Sequence, residues 1–391
     1  MAPNGRIGWQ TSILSYGFRA FFLAGAIQAA LAITLWLLMF FGDLQIPTGF
    51  SPVDWHVHEM LYGYLPAIIA GFLLTAIPNW TGRPPLRGLP LAMLVLVWLA
   101  GRVAVFLSQP LGPLLAGGVD CLFLVLVAAA AAREVILSRN WKNLPPVGLL
   151  TMFVVGNVIF HVEDDRFGVS EFGKRIGIAT AILLVALIGG RVIPTFTRNW
   201  LLRENPGRLP APFGRLDAGV LAVSAVTLAL WIVLPDLPVT AWLLLLAGAG
   251  QAVRLTRWAG DRTLRSPLTL VLHVAYAFVP IGFVLLAAAV LFPADVAVSA
   301  GIHAWTVGAI GVMTLAMMTR VSLGHTGRAL AAGFPTCAIY VCVAAAAVVR
   351  IGAAAAPEWS TVLLLIAGGA WVIAFVLFVV EYGPLLVRPR D

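Results

Sequence analysis

The sequence predicts an all-α fold: a polytopic transmembrane helical bundle of about twelve spans. Three observations predict it. Hydrophobic residues make up 61% of the 391 residues and charged residues 11%, where a soluble domain carries about 25% charged residues. Mean hydropathy is +0.96. Apolar runs of about 18 residues or more recur along the chain, long enough to cross a bilayer as helices. The short alternating strands of a transmembrane barrel are missing from the pattern.

The elements follow in order. The polar, basic opening "MAPNGRIGWQTSILSYGFR" carries no cleavable signal-peptide pattern and runs straight into the first segment, 20–41. The turn "GDLQIPTGFSP" leads to the second, 57–78, which opens on "HVHE" and closes on Asn79, Trp80, Arg83 and Arg87 in "NWTGRPPLRG". Segments three and four, 90–108 and 113–133, meet at "SQPLGP", and "LPPVG" opens the fifth, 146–161. The sixth, 175–193, is followed by "RENPGRLPAPFGR". "LPDLP" separates the seventh, 217–234, from the eighth, 238–256. The ninth, 268–291, ends at "FPAD". The tenth is 299–319, the eleventh 333–354, and "AAPEW" introduces the twelfth, 359–382. Proline, glycine and asparagine punctuate each break because they leave the helix easily. No charge run or low-complexity tract suggests a soluble module. The longest loop, about 195–216, is too short for one, so 1–391 reads as a single integral membrane domain.

Charge sets the orientation. With both termini cytoplasmic, all but five of the 25 lysines and arginines fall in cytoplasmic segments. The exceptions are Arg166, Lys174 and Arg175 in one outer loop, and Arg102 and Arg350 inside helices. The net charge of +8 therefore reads as positive-inside charge facing the bilayer, and nucleic acid is not expected as a partner. Cys121, Cys337 and Cys342 all sit in apolar segments, which excludes a disulfide framework and leaves small core residues. An internal echo also stands out. His58 precedes Thr81-Gly82-Arg83 by the same interval that separates His303 from Thr326-Gly327-Arg328, and helices two, six and ten end alike. Internal repeats of four helices are the reading this suggests.

Orientation sorts the six histidines by depth. His56, His58, His161 and His303 come from three helices and share the outer rim. His273 and His325 lie on the cytoplasmic side. At 1.5 Å per residue, His303 and Arg320 stand roughly 25 Å apart along their helix, so the two groups cannot share one small site. Four imidazoles at one depth suit a metal, because neutral imidazole binds copper, iron or zinc and its second nitrogen needs a partner that fixes the tautomer. Glu59 and Glu163 are the candidate partners or proton carriers. Wetted polar tips without a ligand are the alternative. For His273 and His325, capping a loop weighs as much as ligation.

Ionisable residues inside a span are functional hypotheses by default. Asp120 stands at a depth to neutralise Arg102, which favours a structural ion pair. Alternatively, Arg102 and Arg350 would grip anionic carboxylates such as haem propionates, which the guanidinium fork matches. At the inner rim, Arg191 and Arg320 adjoin apolar segments and are candidates to face a pocket.

The stretches "YGFRAFFLAGAIQA", "HVHEMLYGYLPAIIAGFLLTAIPNWTGRPPLRG", "VWLAGRVAVF", "GNVIFHVED", "GGRVIPTFTRNWL", "LHVAYAFVPIGF" and "HAWTVGAIGVMTLAMMTRVSLGHTGRAL" resemble the NnrS family over helices one to ten. The resemblance implies a twelve-span protein of the bacterial inner membrane that contains haem and copper, takes part in the response to nitric oxide, and protects against nitrosative stress. No Cys-x-x-Cys-His attachment motif exists, so the implied haem would be b-type. Three functions stay open: a haem–copper protein that binds or reduces nitric oxide, with Glu59 and Glu163 supplying protons; a twelve-span transporter; and a protein that delivers haem or copper without catalysis. Reduction would need an electron donor, for which no signature stands in the sequence. A quinol near the cytoplasmic arginines is one candidate.

Overall fold

The computed structural model describes residues 13–388, apart from the side chains of Asn79 and Trp80. The basic opening of the chain and those two side chains, both noted in the sequence, lie outside the described residues. Among the described residues there are twelve helices long and apolar enough to cross a membrane: α1 Gly17–Phe40, α2 Pro52–Pro78, α3 Leu89–Phe106, α4 Pro113–Leu137, α5 Trp141–Phe167, α6 Phe172–Glu204, α7 Arg215–Val233, α8 Pro238–Arg262, α9 Pro267–Leu291, α10 Val298–His325, α11 Phe334–Ala355 and α12 Pro357–Val387. No strand occurs among them. In a bilayer every backbone polar group must be satisfied internally, and the helix does this within one segment.

Prolines start the helices because the first turn has no use for its N–H groups. Pro52, Pro90, Pro113, Pro238, Pro267 and Pro335 all occupy such positions. Ser51 caps α2, its Oγ accepting from the Asp54 N–H at 3.1 Å. Gly168 ends α5 at φ 69°, a left-handed conformation that glycine takes without steric cost.

Several expected boundaries move by five residues or more, and the C-terminal ends of the fifth and sixth segments carry charged residues into helix. The apolar run predicts a fifth span over 146–161, and α5 continues to Phe167, carrying "VEDDRF" beyond that run. The pattern predicts that the sixth ends at 193, and α6 continues to Glu204 through Pro194. The expected long loop of about 195–216 therefore shrinks to 205–214. Membrane helices tolerate an internal proline because local adjustments re-satisfy the freed backbone groups.

Contacts gather into two compact units. The first takes the chain up to Gly177 with Met318–Ala329 and the residues from Phe375 on; the second takes Ile178–Met317 and Leu330–Ala374. Three helices change pitch midway. α2 is π-helical over Glu59–Tyr64, α6 over Val185–Gly189 and α10 over Ala304–Gly311. These are the second, sixth and tenth helices. A π segment widens the turn and releases carbonyls, and here the released groups are used. Gly63 O accepts the Trp98 indole N–H at 2.9 Å in the first unit. Ala186 O accepts Arg254 Nη1 at 3.3 Å in the second.

Arg254 anchors the second unit and went unread in the sequence. It is fully buried, with Nε on Asp217 Oδ1 at 3.2 Å and Nη1 on Tyr276 Oη at 2.8 Å and on Gln251 Oε1 at 3.0 Å. A buried guanidinium persists only where such partners offset its desolvation.

Candidate metal centre

The first unit brings His58 of α2, Asp120 of α4 and His161 of α5 together. One ligand atom from each lies within 4.8 Å of the other two. His58 Nε2 stands 3.2 Å from Asp120 Oδ2, and His161 Nε2 stands 3.0 Å from the same oxygen. His58 and Asp120 are buried, and the His161 side chain is 9% exposed. Among the described residues this is the one group of three or more His, Cys, Asp or Glu side chains with metal-ligand spacing.

Small residues make the approach. A Cβ at Gly117 of α4 would stand 3.0 Å from the His161 ring, and one at Gly101 of α3 would stand 3.2 Å from the Asp120 Cα. Glycine at both crossings lets α3, α4 and α5 close until the side chains meet.

A polar shell orients the three groups. Asn157, one turn before His161 on α5, donates from Nδ2 to Asp120 Oδ2 at 2.8 Å, and its Oδ1 faces His58 Nε2 at 3.2 Å. His58 Nδ1 faces Glu59 Oε1 at 3.4 Å. With Nδ1 donating to Glu59, the Nε2 lone pair points at Asp120 Oδ2 and Asn157 Oδ1. Lone pairs converging without a proton between them repel, and a proton on Nε2 or a metal cation at that point would remove the conflict. Two imidazole nitrogens and a carboxylate oxygen form a donor set that suits copper, iron or zinc. Arg102 of α3 bridges Glu59 and Asp120, and Gln28 of α1 donates to Glu59. The ion pair expected between Arg102 and Asp120 is present. It uses Nη2, while Nη1 pairs with Glu59, so both ends of the Arg102 fork are taken by the protein's own carboxylates in place of a propionate.

The remaining wall is aromatic. Phe50 stacks on the His58 ring with centroids 5.3 Å apart and lies 5.6 Å from His161; Phe160 meets His58 edge-on at 5.3 Å.

The other sequence candidates go elsewhere. His56, two residues from His58, stacks its ring on Trp36 at 4.2 Å and stands outside the group of three. Helical spacing explains this, since residues two apart diverge by about 200° around the axis. His303 belongs to the second unit, where its Nδ1 bonds the Ser299 carbonyl at 2.7 Å. His273 Nε2 pairs with Thr197 Oγ1 at 2.8 Å. His325 packs its ring against Tyr16 and Phe18. Glu163, a candidate histidine partner or proton carrier, accepts instead from Ser170 Oγ at 3.0 Å, Phe172 N at 3.1 Å and Gly173 N at 2.8 Å. It is the cap of α6. Glu59 is likewise committed, as the link between His58, Arg102 and Gln28. Arg191 was a candidate for a pocket, but it is exposed; Arg320 and Arg350 are half-buried. Sequence reasoning missed Asp120 as a candidate ligand, along with Asn157 and Phe50 beside it. Asp120 and Asn157 left a signal, as polar residues inside apolar spans. Phe50 left none.

A family model described as NnrS protein matches residues 12–390. No curated protein matches the chain.

Proposed function

The chain belongs to the NnrS family, and on that premise we propose that it is a bacterial inner-membrane protein of the nitric oxide response holding copper between His58, His161 and Asp120, together with a b-type haem. The observation that carries the reading is the convergence of two imidazole nitrogens and one carboxylate oxygen within 4.8 Å in a largely buried cluster. Copper would supply a one-electron, Lewis-acidic centre, and ferrous haem an open iron position, both of which take nitric oxide. The chain's own residues do the rest. Glu59 fixes the His58 tautomer, Arg102 and Asn157 orient the Asp120 carboxylate, and such outer partners set metal affinity. Phe50 and Phe160 set apolar rings against the His58 imidazole, which suits a small neutral ligand arriving from lipid better than a hydrated ion. The positive-inside rule puts this centre toward the periplasm.

For the haem, His303 offers an imidazole whose Nδ1 donates to the Ser299 carbonyl. That bond favours the tautomer with its lone pair on Nε2, the form in which an imidazole would hold iron. Arg350 sits on α11, which packs against the His303 turn of α10 within the same unit, and would take a propionate.

The test is metal analysis and optical spectroscopy of the purified full-length protein with and without nitric oxide. The proposal expects bound copper lost in His58→Ala and His161→Ala, a Soret band lost in His303→Ala, and a spectral shift on adding nitric oxide. Absence of both copper and a Soret band would refute it.

A further inference from the structure

The centre's electrostatics carry a further inference, which rests on the copper reading above. Three charged groups lie in one hydrogen-bonded chain against the ligands: Glu59, Arg102 and Asp120. All are nearly out of solvent, with side-chain exposures of 2%, 9% and 1%. Two carboxylates and one guanidinium leave a single net negative charge, since His58 and His161 are neutral when they ligate. Asp54 and Asp164 stand further out. Asp54 sits in the first turn of α2, where the helix N-terminus compensates it, and bonds the Ser51 hydroxyl at 2.6 Å. Asp164 is only half-buried. Charge left unbalanced in a buried site is costly, because the low dielectric does not screen it.

We propose that Arg102, clamped between Glu59 and Asp120, sets the oxidation state of the bound ion by holding the pocket at one net negative charge, so that a monovalent, cuprous ion is favoured over a divalent one. A monovalent ion makes the chain of groups neutral. A divalent ion leaves it one charge positive. Arg102 touches no ligand nitrogen. It acts through Asp120, whose other oxygen faces the metal point, and is therefore a positioning and charge-setting residue. The donor set permits the assignment, because imidazole accepts copper in either oxidation state, whereas zinc and ferrous iron exist only as divalent ions here; the preference for the monovalent ion rests on the charge.

The test uses the purified full-length protein loaded with copper and titrated potentiometrically in the presence of redox mediators, with the cupric form read by electron paramagnetic resonance. Removing the positive charge in Arg102→Gln favours the divalent ion and lowers the copper potential. Removing a negative charge in Glu59→Gln does the opposite and raises it. Each shift should reach at least tenfold in the relative affinity for the two ions, about 59 mV for one electron. Opposite shifts from two changes at one ion pair are what a merely structural role cannot produce. Arg102→Lys keeps the charge and should stay near the wild-type potential. If Arg102→Gln does not fold, Glu59→Gln and Arg102→Lys still decide the matter. Shifts in the same direction, or none, overturn the proposal while copper binding itself persists. Copper absent from the wild type overturns the underlying metal reading instead.

Discussion

Gly63→Ala tests the site geometry without touching a ligand. Gly63 lies in the π-helical turn of α2, and a Cβ built there would run into Arg102 Nη1 and stand 3.1 Å from Glu59 Oε2. The Arg102 fork is held at both ends, so it cannot swing away without releasing Glu59 or Asp120. Overpacking of this kind costs about 1–3 kcal/mol. Alanine's better helix propensity returns up to about 1 kcal/mol, so the net destabilisation is modest and the protein should fold. The larger effect falls on the centre. Losing the partner that orients Asp120 should weaken copper binding about 10- to 100-fold, the usual range for outer-shell partners. At about 1.4 kcal/mol per tenfold, that matches the strain introduced. The assay is copper titration against a competing chelator. Gly190→Ala is the control, because its Cβ would meet the buried Arg254 in the second unit in the same way. It should lower the melting temperature comparably and leave copper affinity alone. Wild-type copper binding by Gly63→Ala would refute the reasoning, as would equal loss in Gly190→Ala.

Further outcomes follow from the same contacts. Asp120→Asn should lose copper in metal analysis, whereas His56→Ala and Cys121→Ala should keep it, because His56 packs on Trp36 and Cys121 is outside the ligand group. Glu163→Gln should destabilise the fold by about 0.5–2 kcal/mol, the worth of a helix cap, with copper stoichiometry unchanged; copper loss there would return Glu163 to the centre. Asp217→Asn strands the fully buried Arg254 and should cost about 3–5 kcal/mol, read as a lowered unfolding temperature, with partial recovery when Arg254→Met is added.

The sequence by itself determined the class of fold and most of the boundaries. Twenty apolar residues in a row have few alternatives in a bilayer, and proline and glycine mark where each helix begins and ends. It also singled out His58, His161, Asp120 and Arg102, because polar groups in apolar spans are conspicuous. Tertiary structure decided which of them meet. Equal depth did not make His56 a neighbour of His58's partners, since rotation about the helix axis sends its ring to Trp36 instead. Nor did a run of acids near His161 make Glu163 a proton carrier, because the next helix begins beside it with unsatisfied N–H groups. The π turns of α2, α6 and α10 leave no mark in hydrophobic periodicity, yet the first of them sets Glu59 and Gly63 against Arg102. Depth is a one-dimensional property that composition along the chain fixes. Azimuth, and with it the union of His58, Asp120 and His161, depends on how helices distant in sequence pack.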